Sequence, residues 1–113
     1  MTPAQARAAY RRQISAHGGP VTLRRGSGPG APEVTFKARI TGYAAQEMVG
    51  DVLQGDSKVI FLAEDLGAFP LPIRTRSTDA IWSDGSKMTV QAVDDQTRRV
   101  AGEPIAYELR VRG

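Results

Sequence analysis

The chain contains no cysteine, one histidine and only a few aromatic residues: three phenylalanines, three tyrosines and one tryptophan. The absence of cysteine excludes disulfides, thiolate metal sites and cysteine nucleophiles. His17 has no cluster of metal-ligating residues around it and lies in a predicted helix, so no serine has a plausible histidine base. The sequence therefore predicts neither an enzyme nor a cofactor site.

Long hydrophobic runs are also missing. No segment is long and apolar enough to cross a bilayer, and the N-terminus lacks the apolar core of a signal peptide. We therefore expect a protein that is made in the cytoplasm and does not contact membranes. With 113 residues, the chain suits one domain with one modest core, over residues 1–113. Its net charge of +3 permits contact with nucleic acid without requiring it.

The order of elements predicts a mainly β protein, either a small antiparallel barrel or a compact sandwich of about six strands. Thr2, Pro3 and Gln5 have the spacing of a capping box, and Gly18-Gly19-Pro20 must end the helix, which therefore covers about residues 3–17. The β-barrel follows over about residues 20–113. Its strands are expected at 21–25, 34–42, 58–63, 88–93 and 105–112, with a short edge piece at 73–78 and a tight Asp84-Gly85 turn.

Alternation of apolar and polar residues predicts which side chains face the core. In the closing strand, Ile105, Tyr107, Leu109 and Val111 are expected to point inward. In the second strand, Phe36, Ala38 and Ile40 share one face. Phe36, Phe61 and Tyr107 are thus assigned to the core, whereas Trp82, beside the Asp-Gly turn, is expected to be exposed.

The segment between the second and third strands, residues 43–57, is longer than a hairpin requires. Long loops inside small domains are usually functional or mobile. This one combines acidic residues with apolar residues, which a loop solvated in a monomer would rarely carry. Two interpretations stay open: the loop packs against another subunit, or it folds back as a lid over one end of the barrel. The residues proposed for the subunit contact or channel lining are Tyr43, Glu47, Met48, Val49, Asp51, Val52, Leu53, Gln54 and Asp56.

A basic β-barrel is also a candidate for binding nucleic acid. Two aromatic candidates far apart in sequence, Tyr43 and Trp82, make a weak stacking platform, so specific base recognition is not expected. The basic side of the helix, with Arg7 and Arg11, is expected to be solvated surface, and contact with a phosphate or an acidic partner is the alternative.

Three patterns resemble small proteins encoded among the head and neck genes of tailed bacteriophages. These are Gly42-Tyr43-x-x-x-Glu47-Met48-Val49-Gly50, Gln54-Gly55-Asp56-x-Lys58-Val59-Ile60 and the closing Tyr107-Glu108-Leu109-x-Val111-Arg112-Gly113. The opening helix followed by His17-Gly18-Gly19-Pro20-Val21-Thr22-Leu23-Arg24 fits the same group. The chain differs from the family pattern at residues 68–82.

This resemblance implies a virion component of the neck, similar to stopper or head-completion proteins. Such β-barrels form a homo-oligomeric ring between the portal or adaptor and the tail-terminator or tail proteins, where they retain packaged DNA. The long loop is then the part that lines the channel or clasps the next subunit. Its acidic residues are expected to meet arginines of a neighbour, with Arg24, Arg39 and Arg110 as candidates for that role or for non-specific contact with the DNA backbone. An adaptor or tail-terminator ring and a nucleic-acid-binding barrel are the alternatives.

Overall fold

The computed structural model describes residues 1–26, 28–43, 50, 52–53, 55–75 and 78–113. These residues form one α-helix and eight strands, and six of the strands form a closed antiparallel barrel. The elements are α1 (Pro3–His17), β1 (Gly19–Arg25), β2 (Glu33–Gly42), β3 (Ser57–Leu62), a 3-10 turn (Ala63–Leu66), β4 (Asp79–Ser83), β5 (Ser86–Asp94), β6 (Arg99–Val100), β7 (Glu103–Pro104) and β8 (Ala106–Arg112).

Around the barrel the strands follow the order β1-β2-β3-β8-β5-β4, and β4 pairs with β1 to close it. The predicted mainly β fold with one N-terminal helix is confirmed, and the structure selects a barrel rather than a sandwich. Closure leaves the barrel without the exposed strand edge that promotes uncontrolled pairing between chains. Strands β6 and β7 form a separate two-residue hairpin just before the closing strand.

Aromatic and branched side chains fill the barrel interior. The Phe36 and Phe61 ring centroids lie 4.6 Å apart, and those of Phe61 and Tyr107 lie 5.7 Å apart. The predicted inward residues of the closing strand are all buried, and Trp82 is exposed as expected. The barrel core consists of Val21, Leu23, Phe36, Ala38, Val59, Phe61, Leu66, Phe69, Ile73, Ile81, Val90, Tyr107, Leu109 and Val111.

Helix α1 packs on the outside of the barrel through a second, smaller core. The Thr2 hydroxyl accepts from the Gln5 backbone N–H and the Gln5 side chain accepts from the Thr2 N–H, so the predicted capping box is present. The apolar stripe of the helix contributes Ala6 and Ile14 to a cluster with Leu62 and Ile105. The helix thus covers the outer surface of β2 and β3 rather than standing free in solvent.

Two predictions about the strands need correction. Ile40 was expected to point inward with Phe36 and Ala38, but it is 37% exposed. The last β1–β2 pair is Gly19 with Ala38, so β2 runs past its partner and Ile40 lies at the open end of the barrel. The expected edge piece at 73–78 is not a strand in its described part, and β4 begins at Asp79 instead. Asp84 and Gly85 both adopt positive φ between Ser83 and Ser86, as the predicted tight turn requires.

A buried ion pair holds the long crossing between the 3-10 turn and β4. Asp79 is completely buried and accepts hydrogen bonds from Arg25 Nε at 2.7 Å and from the Arg74 backbone N–H at 2.7 Å. The same guanidinium donates to the carbonyl oxygens of Pro70 and Pro72. Because buried charges must be paired, this cluster fixes the crossing to the end of β1. No local pattern in the sequence singles out Asp79.

Candidate assembly surface

The long loop leaves and re-enters the barrel at the same end. Gly42, the last residue of β2, pairs with Ser57, the first residue of β3, so residues 43–56 connect two neighbouring positions. The proposed site residues within the described part of this loop are Tyr43, Val52, Leu53 and Asp56. The other proposed loop residues, Glu47, Met48, Val49, Asp51 and Gln54, lie outside the described residues.

Asp56 anchors the returning end of the loop to the barrel. Its carboxylate accepts from Arg112 Nε at 2.7 Å and Nη2 at 3.0 Å, and from the Leu53 backbone N–H at 3.0 Å. The Arg110 Nε atom lies 3.6 Å from the same carboxylate. The hydrogen bond from Arg112 is the largest cause of a pKa below the usual value of 3.8, and burial opposes that shift. Asp56, expected to meet an arginine of a neighbour, is therefore already paired within its own chain.

The described loop residues next to this anchor leave apolar surface in solvent. Leu53 is 53% exposed, whereas Val52 is half-buried. Ile40 is exposed at the same end of the barrel. At the root of the loop, the Lys58 ammonium lies 5.3 Å from the centroid of the Tyr43 ring. At this end of the barrel, the returning end of the loop is anchored by Asp56, and the apolar side chains of Leu53 and Ile40 are exposed.

Five basic residues lie on the outer surface of the barrel beside the loop. We call Arg39, Lys58, Arg98, Arg110 and Arg112 the basic face. The strand residues among them point outward because they alternate with the core residues of β2, β3 and β8. In the β3–β8 register Lys58 stands directly opposite Arg110.

Two described carboxylates pair with residues of the basic face. Asp56 pairs with Arg112 and Arg110, and Glu108 accepts from Arg98 Nη2 at 2.7 Å. The basic face is therefore partly neutralised within its own chain.

A pocket of about 260 Å³ lies where helix α1 crosses the basic face. It is lined by Ala9, Tyr10, Gln13, Ile14, Arg39, Ile60 and Arg98. Arg98 is held in place by Glu108 and by a 3.3 Å hydrogen bond from Nη1 to the Tyr10 hydroxyl, while its buried Nε has no partner. Arg39 makes no ion pair with any described residue. We call this cavity the α1 pocket.

The structure separates the three arginines predicted as charge partners. Arg39 and Arg110 both lie on the basic face. Arg24 lies near the opposite end of the barrel, where its guanidinium donates to Glu33 at 2.9 Å and to the Gly28 carbonyl at 2.8 Å. An arginine already engaged by a nearby carboxylate is a weaker candidate for a partner's acid.

The basic side of the helix makes the acidic contacts that the sequence left as the alternative to plain solvated surface, and the acidic partners belong to the same chain. Arg11 donates to Glu64 at 2.6 Å and to Asp65 at 3.0 Å, and Arg7 donates to Glu103 at 3.1 Å. These pairs tie α1 to the 3-10 turn and the β6–β7 hairpin. The sequence could not reveal them because the partners lie more than fifty positions away along the chain.

In the described part of the chain, no helix is long and apolar enough to span a membrane, and no group of three acidic or histidine side chains is placed to hold a metal ion. His17 is exposed at the end of α1. No family model, curated protein or solved structure matches the chain. The resemblance to phage neck proteins therefore rests on the sequence patterns alone.

Proposed function

We propose that this chain is a non-enzymatic structural protein of a tailed-phage neck. In this role it forms the head-to-tail stopper or connector ring, which retains packaged DNA and receives the tail. One structural observation carries the proposal: a long loop is anchored by Asp56 at one end of a closed barrel, directly beside the basic face.

A ring of identical subunits needs two different surfaces on each chain, because each subunit meets its neighbours head to tail. The loop supplies one, since its sequence carries Glu47 and Asp51 among apolar residues and has no basic residue between Tyr43 and Ser57. The basic face supplies a surface of opposite charge. Such complementarity fixes the orientation of subunits and suppresses wrong pairings. Portal or adaptor proteins on one side of the ring and tail proteins on the other are the remaining partners in this proposal.

The basic face also favours a second candidate function, which is non-specific binding of nucleic acid. Two of its cations lie against aromatic rings, Lys58 against Tyr43 and Arg98 against Tyr10 at 5.9 Å. However, Phe36, Phe61 and Tyr107 are buried and offer no ring to a base. Contact with the phosphate backbone requires only positive charge. The two candidate functions therefore make different predictions for the isolated chain. A free DNA-binding barrel should bind DNA by itself, whereas a subunit of a ring around DNA should have little affinity for free DNA.

Deletion of the gene in the phage that encodes the chain tests the proposed function. We expect filled heads that lose DNA and do not join tails, with infectivity restored by the wild-type chain supplied in trans. Replacing residues 44–49 by glycine and serine should abolish this rescue. The matched control shortens the loop at residues 28–31, near the opposite end of the barrel, and should restore infectivity.

Normal, tailed and infectious particles from the deletion strain would contradict the proposal. In that event the isolated chain should be titrated with duplex DNA. An affinity that falls by orders of magnitude with rising salt concentration would support the nucleic-acid-binding candidate. An adaptor or tail-terminator ring, rather than a stopper, would be recognised by its position in the assembled neck.

A further inference from the structure

We infer that the α1 pocket binds a small organic monoanion, namely a carboxylate that carries a compact apolar body. The carboxylate pairs with Arg39 beside Arg98, and the apolar body lies on Ile14 and Ile60. The inference does not rest on the proposed function, because it concerns the isolated chain and a soluble ligand.

The helix supplies one wall of the pocket. Ala9 with Gln13 and Tyr10 with Ile14 are two pairs at the four-residue spacing that places side chains on the same side of a helix. This wall combines apolar surface with the Tyr10 hydroxyl and the Gln13 amide. Its volume of about 260 Å³ is just below the range of about 300–1,000 Å³ that is typical of ligand pockets, so the ligand is a small molecule.

Neighbouring strands supply the opposite wall. Arg39 of β2 stands directly opposite Ile60 of β3, and Ile60 stands directly opposite Glu108 of β8. Arg39 and Ile60 are half-buried under the helix. An apolar side chain thus lies beside a cation at the bottom of the pocket. A ligand that covers this wall needs an anionic group next to an apolar one.

The charges of the pocket select a monoanion. None of the seven residues that line it is acidic, and two of them are arginines. Arg98 is neutralised by Glu108 at 2.7 Å, whereas Arg39 makes no ion pair with any described residue. One positive charge is therefore left for a ligand. A carboxylate matches both this charge and the planar donors of a guanidinium group, whereas a phosphate monoester carries nearly two negative charges.

Arg98 is fixed in position before any ligand arrives. Its side chain donates to Glu108 and, at 3.3 Å, to the Tyr10 hydroxyl, and its backbone carbonyl accepts from the Ile105 N–H at 3.0 Å. Its buried Nε–H has no acceptor among the described residues. Buried donors rarely lack an acceptor, and a carboxylate in the pocket is a candidate to supply one. Because the side chain is already ordered, binding costs little additional conformational entropy.

A titration of the isolated full-length chain, labelled with ¹⁵N and followed by NMR, tests the inference. The probes are benzoate, its neutral analogue benzamide, and phenyl phosphate, which share one ring and differ in charge. We expect benzoate at millimolar concentrations to shift the signals of the Gln13 side-chain amide and the Arg98 Nε–H in a saturable way. Benzamide should bind about tenfold more weakly or worse, as expected for loss of a charged hydrogen bond, and phenyl phosphate should bind no more tightly than benzoate.

A matched pair of variants locates the charge that the ligand meets. Arg39→Gln should raise the Kd for benzoate by about tenfold or more, because it removes the cation and keeps a polar side chain. Lys37→Gln is the control, since Lys37 is exposed two positions away on the same strand and does not line the α1 pocket. Its Kd should equal that of the wild type. Thermal unfolding without ligand verifies that both variants fold, and benzoate should raise the melting temperature of Lys37→Gln but not that of Arg39→Gln.

Four results would overturn the inference. They are the absence of a saturable change at millimolar benzoate, equal affinities for benzoate and benzamide, an unchanged Kd in Arg39→Gln, and tighter binding of phenyl phosphate than of benzoate. Signal shifts at Lys58 and Arg110 without shifts at Gln13 would overturn it as well, because the anion would then lie elsewhere on the basic face. These outcomes leave the proposed neck function as it stands, since that function is tested in particles.

Discussion

Gly18 is the residue at which helix α1 meets the barrel. Its φ is ordinary, so the requirement for glycine is one of space. A Cβ at this position would lie 2.6 Å from the carbonyl oxygens of both Ala38 and Ile14. Both atoms belong to the backbone and cannot move aside without shifting β2 or the helix.

Gly18→Ala should therefore lower the free energy of unfolding by ~2 kcal/mol, in the range typical of forced overpacking. The control is Gly19→Ala, because a Cβ at Gly19 would meet nothing within 4 Å. Urea unfolding of both variants measures the difference. Equal stability of the two variants would contradict the close approach of α1 to β2.

Asp56 gives the loop anchor a defined dependence on pH. The hydrogen bond from Arg112, together with the Leu53 N–H and the charges of Arg112 and Arg110, holds its pKa below the usual value of 3.8. The folded chain therefore binds this proton less readily than the unfolded chain. The resulting stability is fully present above the unfolded pKa and is lost as the pH falls through the folded pKa.

Asp56→Asn should lower the free energy of unfolding by ~2 kcal/mol near neutral pH, the scale of hydrogen bonds to a charged group. Measured again at a pH below the unfolded pKa of about 3.9, the loss should be smaller, because the stability that the charge supplies is lost as the pH falls through the folded pKa. Asp84→Asn is the control, since asparagine tolerates the positive φ of that exposed turn. A loss that is the same at both pH values would show that the Asp56 charge does not anchor the loop.

At the scale of elements, α1 is held by its own small core. Ile14 is 2% exposed and packs with Leu62 and Ile105, whereas Ile40 is 37% exposed at the end of the barrel. Ile14→Ala should cost ~3 kcal/mol because it leaves a cavity beneath the helix. Ile40→Ala, the same chemical change, should cost less than ~1 kcal/mol. Thermal unfolding of the two variants measures the contrast, and similar melting temperatures would argue against the docked helix.

Most elements could be predicted from local patterns because their causes are local. The capping box predicted the start of α1, and the alternation of apolar and polar residues predicted the inner face of β8. The Asp84-Gly85 pair predicted the turn between β4 and β5. Ile40 shows where this reasoning fails. Ile40 follows the alternating pattern of its strand. Its exposure, however, depends on how far β1 extends beside β2, and the pattern of one strand gives no information on the length of its neighbour.

At the scale of the whole molecule, the closing of the barrel and the pairing of charges could not be predicted from the sequence. Asp79 with Arg25 and Arg11 with Glu64 each join residues more than fifty positions apart. The α1 pocket was missed for the same reason, since Gln13, Arg39 and Arg98 come together only after the helix docks. The one pocket residue that the sequence pointed to was Arg39, which was expected to be a charge partner for the loop.

The folded chain anchors the returning end of the loop directly beside the basic face. In the proposed function, a head-to-tail ring uses both the loop and the basic face of every subunit. The ring is therefore the central claim of this account.

The most direct test is electron cryo-microscopy of the neck in purified particles of the tailed phage that, in the proposed function, encodes the chain. We expect a ring of this barrel between portal and tail, with residues 43–57 of each copy against the next copy or lining the channel. A neck that contains no copy of the chain, or a ring in which those residues contact neither a neighbour nor the channel, would contradict the account.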